Sequence, residues 1–517
     1  MVQSRTSKSI KNSIVALTFY FVGLVLQFFS RKVFLDYLGP EILGLNTTAT
    51  NLLQFLNIAE LGISSAISFT LYKPIYEKDT NTINEIVSLQ GWLYRNIALI
   101  IIAGAIILMC FFPWIFSKTT LPLWYAYASF GVLLFSSLLS YFVNYKQIVL
   151  SADQLDYKIQ YSYQSIKNLK LLAQILALYY LNNPYHWWLT LEAIFAIIGT
   201  VSLDKTTKRT YPFLKPNLSI GKQLQLKYPE VGTKIKQVFF HKIGHFALTQ
   251  TSPIIIYAFT SLTSVALYGN YILIINGVTV LMNAIFNSMN AGIGNLVAEG
   301  NKERSFNIFK EVFSIRFIFV CTICFGVYKL TPDFISLWIG KEYLLDNIAL
   351  TLLVLSLYIN ISRSTVDAFI SAYGLFGDIF SPIIEACINI GLSILLGYFF
   401  GLNGILLGVF ISTFVVIFIW KPYWLFTRGF KSSIKKYVYL YLYHIICGIG
   451  VWFIAVYLLN MLCLPPSNSF VNFIITAFIH CIVYFSLISS IIVASNIRVR
   501  RRLYSITMML VQKSKTK

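Results

Sequence analysis

Charge is scarce in this chain. Only 12% of its 517 residues are charged against 57% hydrophobic, and acids are the rarer half, 20 Asp and Glu against 41 Lys and Arg. The few charges gather in clusters between apolar runs of about 20 residues, the length of helix that crosses a hydrocarbon layer roughly 30 Å thick. An ordinary soluble domain is excluded. Cysteine is sparse too: seven residues, mostly inside apolar runs, imply no disulfide framework. Cys321 and Cys324 form a CxxC, but the run FIFVCTICFGV offers no polar partner for a metal or redox centre, so they read as apolar fillers. There is no Walker loop for direct ATP drive and no HExxH among the five histidines. His241 and His245 lack a third ligand and read as interfacial residues. Large polar loops are also missing, which argues against an integral glycosyltransferase or any other enzyme. No small-x-small site follows Ile14–Ser30, so that run reads as a retained span and not a signal peptide.

What is present is an all-α integral membrane pattern. Fourteen predicted transmembrane helices lie near 10–38, 41–72, 90–116, 121–149, 158–182, 185–203, 237–260, 265–298, 311–330, 345–372, 378–400, 402–420, 437–460 and 469–495. An even number places both termini on one side. With the N-terminus inside, the outer side holds Arg31, Lys32, Lys118, Lys329 and Lys341, Arg363 falls mid-span, and the remaining basic residues lie at inner segments and span ends. That asymmetry follows the positive-inside rule, so both termini are expected to be cytoplasmic. The net charge of +21 then reads as contact with anionic membrane lipids, with no nucleic acid partner.

Shifting the chain by 220 residues lays IVLSADQL (148–155) on AFISAYGL (368–375), and AELGISSAI (59–67) resembles MNAGIGNLV (289–297). The expected architecture is therefore two pseudo-symmetric six-helix lobes, 1–203 and 237–420. A basic cytoplasmic linker at 204–236 joins them, and two extra helices at 421–495 and a basic tail at 496–517 follow. Parallel repeats of this kind suit rocking about a central site.

Polar side chains recur on one face of several predicted spans, at about 100° per residue. Asn46, Thr50, Asn57, Glu60, Ser64 and Ser68 share a sector of roughly 80°, and Asn276, Asn283, Asn287 and Asn290 one of roughly 60°. Ser356, Asn360, Arg363 and Asp367 share another face, and Glu385 and Asn389 stand one turn apart. Helix–helix glue is one reading. A hydrated cavity lined by amides and hydroxyls, suited to sugar hydroxyls, is the other. Arg31 lies one turn beyond Gln27, while Lys32 is spaced to pair with Asp36. Arg363 reads as the most deeply placed cation, either paired with Asp367 or shared between Asp367 and an anion such as phosphate, which its planar fork matches. Glu60 and Glu385 could carry a coupling H+ or Na+, or could balance a nearby cation. No resident cofactor or metal is expected.

The hairpin SRKVFLDYLGPEILGLNTTATNLLQFLNIAELGISSAI, the exit LYKPIYEKD, and downstream FISAYGLF and IIEACINIGLSILLGYFFGLNGILLGVFIST together resemble the Wzx-type polysaccharide flippases of the MOP superfamily. The resemblance runs over nearly the full length. It implies a cell inner membrane transporter that carries undecaprenyl-diphosphate-linked oligosaccharide repeat units to the outer leaflet for O-antigen (lipopolysaccharide), capsule or exopolysaccharide biosynthesis. A polysaccharide polymerase and chain-length machinery would be its partners. It also implies that Arg31 and Arg363 meet the diphosphate and that the asparagine faces meet the sugars. Alternatives are a MATE-type multidrug or cation antiporter, and a flippase for a peptidoglycan or teichoic acid precursor.

Overall fold

The computed structural model describes residues 5–500 apart from 61, 288–289, 376, 379, 463, 466–467 and 496–499; the side chains of 5–10, 59, 237, 240–249, 287, 290–291 and 495 also fall outside the description. Among the described residues the chain is all-α with no strand. The long helices are α1 (Arg5–Leu56), α2 (Ile63–Glu77), α3 (Thr80–Cys110), α4 (Trp124–Phe142), α5 (Ser165–Tyr180), α6 (Pro184–Thr210), α7 (Pro229–Phe259), α8 (Leu262–Asn287), α9 (Lys302–Trp338), α10 (Asn347–Ala372), α11 (Phe380–Thr413), α12 (Lys435–Met461) and α13 (Phe470–Ser495). Nine helical stretches among them are long and apolar enough to cross a membrane. Phe380–Phe430 holds two predicted spans, and Lys11–Leu56 holds the first predicted span and the beginning of the second. The fifth, seventh and ninth predicted spans fall on α5, α7 and α9.

The joints between spans have local causes. In α1, Gly39 adopts a left-handed φ of 79° and Pro40 follows it, so the helix turns where the first predicted span gives way to the second. Gly401, at φ 56°, bends α11 in the same way. The second predicted span, by contrast, is not one helix. It stops at Leu56, passes through a 3-10 turn at Asn57–Glu60, and restarts after Gly62. Gly62 sits at φ 99°, and a Cβ there would stand 2.7 Å from the carbonyl oxygen of Ile235, so only glycine suits the approach of α7.

The chain divides into two compact units, Met1–Ala266 and Leu267–Lys517. In the first, Ile67, Leu71, Val87, Ala98, Tyr141, Val149 and Leu203 pack α2, α3, α4 and α6 into one core. The basic segment after α6 is pinned to α3: Asn84 bonds the Phe213 carbonyl and the Lys215 amide, and Lys227 pairs with Glu85 at 2.6 Å. In the second unit, Phe317, Phe325, Val451, Ala455, Tyr484 and Ile488 fasten α12 and α13 onto α9. Large apolar side chains also remain outside, among them Tyr180, Phe400, Ile446 and Phe453. A surface of that kind faces acyl chains, where backbone groups must be satisfied internally by helix.

Candidate functional site

Each unit builds a polar cluster inside its apolar helices. In the N-terminal unit the 3-10 turn at Asn57–Glu60 turns Glu60 toward α3 and α4. Its carboxylate accepts from the Tyr94 hydroxyl at 2.8 Å, from the Tyr141 hydroxyl at 2.8 Å and from Ser64 at 3.4 Å. Tyr141 also reaches Asn57 at 3.1 Å. Glu60 has no ion-pair partner among the described residues. The polar face expected from Asn46 to Ser68 is therefore corrected. The helix breaks between Leu56 and Ile63, and Asn46 accepts from Ser129 and Tyr185, at 2.6 and 3.0 Å, within the bundle. Gln27 is exposed on α1. One turn on, Arg31 donates to the Ala266 carbonyl at 3.3 Å, while Lys32 pairs with Asp36 at 3.6 Å as its spacing predicts.

In the C-terminal unit α10 carries Arg363 and Asp367 one turn apart, and Arg363 Nε donates to Asp367 at 2.8 Å. Lys421 approaches the other carboxylate oxygen at 3.3 Å. Arg363 gives no other hydrogen bond among the described residues, and a quarter of its side chain is accessible. Glu385 acts electrostatically on Arg363 and is 4% exposed, with one carboxylate oxygen lacking a hydrogen bond among the described residues. Asn389, fully buried, donates to Ser412 at 3.3 Å and leaves its carbonyl oxygen likewise unpartnered.

Among the described residues the least accessible cation is Arg316, which the sequence reading did not single out. It is 3% exposed on α9, bonds Ser364 at 2.5 Å and lies 4.5 Å over the Phe286 ring. Its place near the inner end of a predicted span concealed it, although it stands several residues inside that run. Arg316, Arg363 and Lys421 against Asp367 and Glu385 leave this cluster one positive charge in excess.

The asparagine face of the eighth predicted span is described only in part. Asn276 and Asn283 are exposed on α8, while the side chains of Asn287 and Asn290 lie outside the described residues. Asn290 begins the next helix, Asn290–Ala298. Asn360 is exposed and donates to the Ser356 carbonyl at 3.0 Å. A separate cavity of about 480 Å³, walled by Phe317, Cys321, Cys324, Tyr358, Trp452 and Tyr484, is apolar and holds none of these charged groups. Sequence reading also passed over α5, where Lys170 holds Glu192 of α6 at 2.6 and 2.8 Å. Polar residues three and four apart from Gln160 to Gln174 were the available signal.

No protein-family model matches the chain, and no curated protein matches its sequence. Solved structures do. A lipid II flippase, MurJ, in an inward closed conformation aligns with a TM-score of 0.66 at 16% identity, over 94% of this chain and 99% of that one. An inward-facing multidrug resistance MATE family transporter of the MOP superfamily gives 0.58 at 14% identity, over 82% and 99%. The MATE multidrug transporter DinF-BH gives 0.50 at 16% identity, over 83% and 96%. The chain has the MurJ/MATE-like fold.

Proposed function

We propose that this chain is a flippase for a polyprenyl-diphosphate-linked oligosaccharide, moving it from the cytoplasmic to the outer leaflet of a bacterial inner membrane for polysaccharide assembly, with both chain termini inside. The observation that carries this reading is Arg363: a guanidinium set within an apolar helix, held through Nε, whose terminal nitrogens make no hydrogen bond among the described residues and whose side chain is a quarter accessible. A phosphate oxyanion fits that geometry with two parallel bonds. The excess positive charge around Asp367 supports an anionic cargo. So does a likeness that extends over 94% of the chain for a lipid-linked-substrate flippase against 82% for a MATE transporter.

In this reading Arg31 and Arg363 receive the diphosphate, and Gln27, Asn57, Asn276, Asn283, Asn287, Asn290 and Asn360 meet the sugars. Glu385 and Asn389, whose unpartnered oxygens lie one turn apart, hold a coupling H+ or Na+. The test is complementation of a bacterial strain that lacks its own polysaccharide flippase, with analysis of the lipid-linked intermediate it accumulates. Restored surface polymer and loss of the intermediate support the proposal; continued accumulation by a well-inserted protein refutes it.

One observation favours a second reading, export of organic cations by a MATE-type transporter. Glu60, ringed by two tyrosines and without a cationic partner among the described residues, would suit a proton or a cation. Uptake of a fluorescent organic cation into everted vesicles separates the two.

A further inference from the structure

We propose that Lys167, one turn beyond Gln164, forms an additional anion-binding element on α5 that receives an oxyanion of the translocated head group, either a phosphate or a sugar carboxylate. This rests on the flippase reading and adds a contact that the reading lacks.

The orientation of α5 carries the argument. Leu169, Leu172 and Leu176 are 51%, 44% and 57% exposed and mark its lipid-facing side. At about 100° per residue, Lys167 stands roughly 170° from the middle of that stripe. It therefore does not snorkel outward along lipid. The helix is flanked on both sides of Lys167. A Cβ on Gly23 of α1 would stand 3.2 Å from the Asn168 side chain and 4.0 Å from that of Gln164. On the other side Lys170 and Gln174 engage Glu192 of α6. Lys167 lies between these contacts and is nonetheless exposed. Its side chain is thus turned from that apolar stripe and yet accessible, open to water or to a ligand.

The local charge is unbalanced. Glu192 accepts both oxygens' bonds from Lys170 and a further one from Gln174 at 3.2 Å. Lys167 shares their field but has no hydrogen bond or ion pair among the described residues. Two ammonium groups thus face one carboxylate. An unpaired cation within a membrane span is costly unless water or a ligand's anion attends it. The turn leading into α5, Gln160–Gln164, is π-helical, a distortion that recurs at functional sites. Lysine presents a point charge on a flexible stem, so it accepts phosphate or carboxylate from several directions, unlike the fixed fork of Arg363.

The test uses the full chain in proteoliposomes, with its native cysteines replaced and Gln164→Cys as reporter. Modification by a charged, water-soluble thiol reagent is timed without and with pyrophosphate or glucuronate. At about ten times the half-saturating concentration, a bound anion should slow modification about tenfold. Protection by pyrophosphate assigns the site to phosphate, and protection by glucuronate assigns it to an acidic sugar. Lys167→Arg should keep the protection and Lys167→Met should lose it, each in protein that remains monodisperse. A reporter that does not react, protection by neither anion, or protection undiminished in Lys167→Met overturns the proposal. Because anion protection is read without export, failed complementation with intact protection removes the flippase reading and leaves the anion site standing.

Discussion

Replacing Arg363 separates a substrate contact from an internal ion pair. Arg363→Ala leaves Asp367 with Lys421 at 3.3 Å, so the carboxylate is not orphaned. The stability loss should then fall well below the roughly 3–5 kcal/mol of a buried charge left unpaired, closer to about 1–2 kcal/mol because a quarter to a third of each side chain is accessible. Transport should suffer more. Losing two charge-assisted bonds to phosphate, each worth about 1.5 kcal/mol, removes about 3 kcal/mol, on the order of a hundredfold in rate. Arg363→Lys keeps the charge and loses the fork, and should cost about tenfold. The assay is export of surface polymer in a complemented strain, normalised to membrane-inserted protein. The double variant Arg363→Ala/Asp367→Ala decides the matter. It removes both ends of the pair but leaves Lys421 without its carboxylate, so its stability is compared with that of Asp367→Ala alone, while export should stay low. Export restored in the double variant would show that Arg363 serves Asp367 alone, and the phosphate argument would fail.

Three further outcomes can be checked. A Cβ at Gly44 would lie 1.9 Å from the Leu262 carbonyl oxygen, a backbone atom with little room to yield, so Gly44→Ala should cost about 1–3 kcal/mol by overpacking; an unchanged melting temperature of the purified protein would contradict that contact. Lys170→Met leaves Glu192 with Gln174 and the field of Lys167 and should destabilise by about 1–2 kcal/mol, with Lys170→Met/Glu192→Gln recovering most of it in thermal unfolding. Asp79, in the loop before α3, is held below the usual carboxylate range, chiefly by the Thr82 hydroxyl and also by the Thr82 and Asn81 amides. A depressed carboxylate stabilises above its unfolded value and loses that effect as pH falls through the folded one. Proteolysis at residues 77–82 should therefore rise on acidification of the native protein, and lose most of that pH dependence in Asp79→Asn.

Much of this architecture is visible in one dimension because lipid imposes a one-dimensional rule. Long apolar runs, Gly39-Pro40 between two of them, and clustered basic residues define helices and the break in α1 without reference to any partner. Spacing of four residues likewise places Arg363 beside Asp367 and Lys32 beside Asp36, since a helix brings such pairs together by itself. Contacts between helices follow another logic. After the 3-10 turn Asn57–Glu60, Gly62 lies against the backbone of α7, a close approach that hydropathy cannot register. Tyr94 and Tyr141 read as ordinary apolar-helix residues until packing turns both hydroxyls onto Glu60. Arg316 and Lys167 look like inner-end cations until the bundle shows one sealed against Phe286 and the other turned from the lipid. Periodicity encodes which side of a helix is polar; which neighbour that side meets depends on rotations and close approaches set by all the helices at once.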